Sequence, residues 1–246
     1  MSIADSQPPD PGSSFDYRVR FDEAGPDGLL RSSVLLRYAQ DVAWLDSDRR
    51  GFDRAWYDEQ RLAWVVRAIE MRIVAPIVLG QTIRIETRVI GQRKVWARRR
   101  ADVRSIDGTP LAWLHTDWVL IDDRGRLVRV PAVFAETFQV PAATFDLARV
   151  TLGPAPEDAT RSDVLVRPHE LDPMGHVNNA AYLDWFEESI PGDAGRPIPR
   201  SYDLEYAASA GAGDALTAET WFEDGVWSHR LVRPSDAAEL FRARLS

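Results

Sequence analysis

Residues 169–179, HELDPMGHVNN, place two of the chain's four histidines, an aspartate and two asparagines just ahead of the aromatic, acidic stretch AAYLDWFEES. A helix is expected to start near Val177 or Asn178, so that the unpaired backbone N–H groups of its first turn face back toward the loop. Such amides can bind a developing oxyanion. Asp172, four residues before His176, reaches the same space. A carboxylate beside an oxyanion site suits acyl transfer to water, which needs a base or nucleophile for the carbonyl carbon and donors for its oxygen. Gly175 permits a positive φ or a close backbone approach. Plainer roles stand beside these: Asp172 can open an Asx or proline turn with Pro173, and Asn178 or Asn179 can cap the helix. His169 reads as a loop residue. His169, Asp172 and His176 have no further ligand close in sequence, and no G-x-S-x-G occurs, so neither a metal site nor a serine nucleophile is expected.

The elements that must position this loop are written twice. Residues 17–21 (YRVRF) alternate as a short strand, a glycine-rich loop EAGPDG follows, and LLRSSVLLRYAQDVAWL carries apolar residues at helical spacing. Sliding the chain by 147 positions lays Arg20 on Arg167, Gly28 on Gly175, Leu35 on Tyr182, Tyr38 on Trp185 and Asp41 on Glu188. After the helix the offset falls to 133, pairing Gly80 with Gly213 and Glu86 with Glu219. The difference is a deletion in the second copy between helix and sheet. Period-2 strands then follow in both copies: VWARRRADVRS and LAWLHTDWVLID in the first, WSHRLVRP and AAELFRARLS in the second, with a hairpin turn expected at DDRG (122–125). Each half therefore reads as strand, loop, long helix and antiparallel strands, an α+β unit. The expected boundaries are a disordered tail over 1–14, a first unit over 15–138, a proline-rich linker crossing the surface over 139–162, and a second unit over 163–246.

Where the copies differ is informative. Opposite His176 the first copy has Leu29, opposite Asp172 it has Gly25, and opposite Asn178 and Asn179 it has Arg31 and Ser32. The scaffold repeats and the polar set does not, so the polar set is the candidate for chemistry.

Composition narrows the classes. With 246 residues, 45% hydrophobic residues and nine tryptophans, the chain can bury a sizeable core. A formal charge of −8 disfavours nonspecific nucleic-acid binding. The absence of cysteine excludes disulfides, thiolate metal sites and a cysteine nucleophile, and it fits a reducing compartment. No apolar run approaches a membrane span, and the N-terminus lacks the regions of a signal peptide, so a cytoplasmic protein is expected.

The stretch LDPMGHVNNAAYLDWFEESIP resembles the signature of hot-dog thioesterases, most closely the acyl-ACP thioesterases of plants and bacteria. The resemblance runs from about Tyr17 to Leu245 and includes RYAQDVAW, LAWVVRAIEMRI and the hairpin LIDDRGRLVRVP. It implies two tandem hot-dog domains, each a long helix wrapped by an antiparallel sheet, which pair within the chain; a homodimer is also conceivable. It implies hydrolysis of a fatty acyl thioester in fatty acid biosynthesis, without a cofactor or metal. Carried over by position, the catalytic residues are Asp172, His176, a helical glutamate at Glu188, and Asn178 with Asn179 at the helix start. Met174 and Gly175 depart from the plant pattern, which has asparagine and glutamine there, and D-x-x-G-H-V-N-N looks more like single-domain acyl-CoA thioesterases. Acyl carrier protein and CoA therefore both stay open as carriers. The acyl tail is expected in an apolar pocket of the first half, with Trp44, Trp64 and Val66 available as lining. Arg98 and Arg100, sharing one strand face within QRKVWARRR, are the candidates for docking an acidic carrier or CoA phosphates. The alternatives are a non-catalytic acyl-binding module and a hot-dog dehydratase.

Overall fold

A computed structural model describes residues 12–140, 142–192 and 197–246. The first unit contains β1 (Ser13–Arg18), α1 (Ser32–Arg49), α2 (Arg54–Gln60), β2 (Leu62–Ile73), β3 (Thr82–Arg93), β4 (Trp96–Ser105), β5 (Pro110–Asp122) and α3 (Ala132–Thr137). The second contains β6 (Thr160–Leu165), α4 (Asn179–Glu188), β7 (Arg200–Tyr206), β8 (Ala215–Glu223), β9 (Val226–Arg233) and β10 (Ala238–Leu245). Ser13 and Ser14, expected in the tail, begin β1, and residues 160–162, expected in the linker, begin β6. Both pairings add an edge strand: β1 joins β3 and β6 joins β8. Residues 1–11 of the expected tail lie outside the described residues.

All the strands form one antiparallel sheet in the order β1-β3-β4-β5-β2-β7-β10-β9-β8-β6. Read outward from its centre, each half has the same order. The halves join where β2 meets β7, with Met71 opposite Tyr202 and Ala68 opposite Glu205. At the 133 offset Glu70 and Asp203 are equivalent positions, and they face each other across this seam, as only residues on a pseudo-two-fold axis do. Pairing through β2 and β7 removes one exposed edge from each half. The tandem hot-dog pair is thus one continuous sheet.

The loops before the two helices repeat in atomic detail. Glu23 accepts from the Arg20 backbone N–H at 2.8 Å, and Glu170 accepts from that of Arg167 at 2.6 Å. The same carboxylates receive the Tyr38 hydroxyl and, at 3.0 Å, the Trp185 indole N–H. Gly25 N–H to Leu29 C=O and Asp172 N–H to His176 C=O are both 2.8 Å. These bonds fix the entry of α1 and α4, whose buried faces (Val34, Leu35, Tyr38, Ala39 and Val42; Ala181, Tyr182, Trp185 and Phe186) pack on one side of the sheet in a shared core.

The other side of the sheet carries charge, and the linker crosses it. Arg98 makes two 2.6 Å bonds to the carboxylate of Asp117, which also accepts the Ala148 N–H at 2.8 Å. Glu205 holds the next part of the linker through the Val150 N–H and the Arg149 guanidinium, both at 2.9 Å, and pairs with Arg67 from β2. The linker was expected at the surface; buried carboxylates anchor it there.

The halves diverge in one respect that matters for a site. α1 has 18 residues and α4 has 10, and among the described residues α2 and α3 have no counterparts in the second half. Phe52, Tyr57, Phe134 and Phe138 form a second, smaller core around α2 and α3. Val89 pairs with Arg99 in the first half, whereas the register-equivalent Phe222 pairs with Trp227 in the second.

Candidate functional site

The turn Asp172–His176 is built by the aspartate itself. Asp172 Oδ1 accepts the backbone N–H of Met174 at 2.8 Å and of His176 at 3.3 Å, while Gly175 takes φ +78°. A Cβ at Gly175 would meet nothing within 4 Å, so the left-handed backbone and not a close approach requires glycine there. The local turn role of Asp172 is therefore real. It also aims the carboxylate: Oδ1 is held by two amides, and Oδ2 has no hydrogen-bond partner among the described residues. The His176 ring is exposed, and its side chain likewise makes no hydrogen bond with the described residues.

Helix α4 starts one residue later than the sequence suggests. Asn178 is its N-cap, and its side-chain oxygen accepts the Ala180 N–H at 2.9 Å. The neighbouring amides have acceptors too: Val177 bonds Ala210 C=O, Asn178 bonds Glu170 C=O, and Ala181 bonds Asn178 C=O. That leaves the N–H of Asn179, the first helical residue, as the amide at the positive end of α4 without an acceptor among the described residues. The expected set of first-turn donors thus narrows to one residue.

Next to this turn the first half holds a cavity of about 260 Å³. Trp44 and Trp64 line it, together with Ala43, Leu62, Val89, Ala97 and Phe134, and Met174 of the second half completes the wall. Val66, also expected as lining, is instead a buried member of the main core. At the polar part of the wall, Arg99 bonds Asp46 at 2.5 Å, and Asp46 also accepts from Ser13 and Arg50. Burial alone would raise the pKa of Asp46, but the Arg99 charge and these hydrogen bonds outweigh it and hold the carboxyl below the usual range.

The placement bears on three further expected residues. Glu188 does not line this cavity. It sits in a polar cleft of about 450 Å³ with Asp184, Arg167 and Asn178, where burial and then the charge of Asp184 push its carboxyl above the usual range. Its side chain leaves α4 on the face that carries Asp184, four residues earlier. Arg98 is buried against Asp117, and Arg100 bonds Asp102 at 2.7 Å and meets His115 at 3.0 Å. The faces alternate as expected, but both guanidiniums are paired with carboxylates, Arg98 buried and Arg100 half-buried. Gln40, Tyr57, Arg99 and Trp118 in the cavity wall were missed by the sequence reading. The alternation of β4 and β5 hinted at Arg99 and Trp118 alone; Gln40 on α1 and Tyr57 on α2 left no such signal.

The acyl-ACP thioesterase N-terminal domain model matches residues 13–140, and the corresponding C-terminal domain model matches residues 153–243. A palmitoyl-acyl carrier protein thioesterase of Arabidopsis thaliana chloroplasts is 29% identical over 256 residues, covering 93% of this chain and 62% of the relative. The chain thus spans about three-fifths of the length of the plant relatives it matches. Among solved structures, the 12:0-ACP thioesterase of Umbellularia californica superposes with a TM-score of 0.80 at 22% identity, over 95% of this chain and 96% of that one. An acyl-ACP thioesterase of Bacteroides thetaiotaomicron gives 0.81 at 15% identity, over 95% and 96%. These likenesses support the same tandem hot-dog fold. Since the two domain models together span nearly the whole described chain, the protein belongs to the acyl-ACP thioesterase family.

Proposed function

We propose that the protein hydrolyses fatty acyl-ACP to free fatty acid, as a step of fatty acid biosynthesis. One observation carries the reading: Met174, in the same turn as Asp172 and His176, lines the apolar cavity of the other half. Chemistry from the second copy and acyl binding in the first meet at that residue. An acyl chain lying in the cavity brings its thioester to the turn. The free Oδ2 of Asp172 takes a proton from water as the water oxygen bonds to the carbonyl carbon. The carbonyl oxygen becomes an oxyanion, received by the Asn179 N–H and the His176 imidazole. Collapse of this intermediate breaks the C–S bond and releases the carrier's thiolate, which takes up the proton. Asn178 caps the helix that aims the Asn179 amide and so acts on the oxyanion indirectly.

Among the described residues no helix is long and apolar enough to cross a membrane, and the zero cysteine count fits work in the cytoplasm. Thiol release from acyl-ACP and acyl-CoA of matched chain length tests the proposal. Turnover of both is expected, with higher kcat/KM on the acyl-ACP. Absence of thiol release from either carrier would refute it.

A further inference from the structure

The copies differ once more beside the turn of Asp172 and His176, and there the second copy is the smaller. His176 faces Gly211 in an isolated antiparallel bridge, and the equivalent bridge of the first half joins Leu29 to Val78. Equivalent amides close both: Val177 N–H donates to Ala210 C=O at 3.0 Å, and Leu30 N–H to Ile77 C=O at 2.8 Å. In a pair of this kind the bridging residues do not bond each other, and their Cα atoms stand about 4.5 Å apart with side chains on one face. A side chain at position 211 would therefore lie along the imidazole of His176. The first half fills this place with the exposed Val78, followed by the exposed Leu79, whereas the second half has Gly211 and Ala212.

The fold does not ask for glycine there. The φ of Gly211 lies outside the left-handed region, and a Cβ on it would meet nothing within 4 Å. Its N–H donates to Asp214 at 3.0 Å, a bond that any residue except proline can make. What glycine provides is an open flank beside an exposed imidazole.

We propose that this flank seats the thiol side of the thioester, the pantetheine arm common to acyl-ACP and acyl-CoA, and that Gly211 is the residue that admits it. A thioester carbonyl has two substituents. The acyl chain is taken by the cavity that Met174 completes, so the sulfur and its arm need room elsewhere beside His176. The flank at Gly211 supplies that room, and the copy that lacks the Asp172 and His176 pair has it closed. This inference rests on the thioesterase reading above and concerns the other end of its substrate.

The test compares the wild type, Gly211→Ala and Gly211→Val on one acyl group carried by ACP, by CoA and by ethanethiol. Valine is the residue of the first copy at this place. For Gly211→Val, the ratio of kcat/KM on the acyl-ACP to that on the ethyl thioester should fall by roughly tenfold or more. The acyl-CoA ratio should fall alike, and Gly211→Ala should lie between. A fall on the acyl-ACP alone would assign the position to the surface of the carrier protein. Equal loss on all three thioesters would assign it to the placement of His176, and no loss on any would leave the flank unused. Each of these outcomes overturns the proposal while the thioesterase reading stands. If melts show that Gly211→Val does not fold, Gly211→Ala carries the test, since its Cβ meets nothing. If the wild type leaves the ethyl thioester uncut, KM and kcat on the acyl-ACP replace the ratio. The loss is then expected in KM, and a loss confined to kcat overturns the proposal. No turnover of any thioester overturns both readings.

Discussion

Asp172→Asn should abolish most of the hydrolysis while the protein stays folded. Asparagine is nearly isosteric, and its side-chain oxygen can still accept the Met174 and His176 amides that Oδ1 accepts now. The turn should therefore persist, with a stability change of no more than roughly 1 kcal/mol. What is lost is the basic Oδ2. Removing a general base typically lowers the rate by about 10²–10⁴-fold. His176→Ala should slow the reaction less, because the Asn179 N–H keeps part of the oxyanion's charge. Steady-state kcat on one good acyl-ACP, with thermal melts beside it, decides the matter. Near-normal kcat in Asp172→Asn would place the chemistry elsewhere, and an unfolded variant would make Asp172 structural only.

The second large effect is on stability. Asp46→Ala should cost about 3–5 kcal/mol, because it strands the buried Arg99 guanidinium without its carboxylate. For a chain of this size that lowers Tm by roughly 10 °C. Replacing both partners, Asp46→Leu with Arg99→Met, should recover most of the loss, since a buried ion pair can be exchanged for apolar packing at little net cost. The acid limb should change as well. Asp46 is held below its unfolded value of 3.8, so its contribution is present above that pH and is lost as the pH falls through the lower folded value. Asp46→Ala should lack this component of acid unfolding. A Tm shift of only a degree or two would show that the Arg99 charge is answered by other groups.

The duplication was legible because equivalent positions must do equivalent work. Arg20 and Arg167, Tyr38 and Trp185, and Gly28 and Gly175 keep their roles at both loops, and a slide of the sequence aligns them without knowledge of contacts. The polar residues of the turn were legible for the opposite reason: Asp172 and His176 break the repeat. Other features left no local trace. Among the described residues the α2 and α3 helices have no counterparts in the second half, and α3 is only six residues long, too short for a periodic pattern to stand out. The run RRR at 98–100 reads as a charged surface strand. The partners of Arg98 and Arg99 lie far off in sequence, with Asp117 on β5 and Asp46 on α1, so their burial emerges only once the sheet closes. Glu188 was carried over by position along the helix, and the helix turns it toward the polar cleft. Spacing gives a residue's place along α4; the packing of α4 on the sheet decides which way its side chain faces.

The division of labour between the halves is the core of the account, and the chain-length profile of Ala97→Phe tests it most directly. Ala97 lies in the cavity wall on β4, in the first half, on a different element from the turn that carries Asp172. A phenyl group there shortens the space for the acyl tail and leaves every residue of the Asp172–His176 turn unchanged. If the tail lies in this cavity, kcat/KM across a series of acyl-ACPs should shift its optimum to shorter chains. The longest chains should lose roughly tenfold or more. A profile that keeps its wild-type optimum would contradict the account, because the acyl group would then lie somewhere other than in the first half.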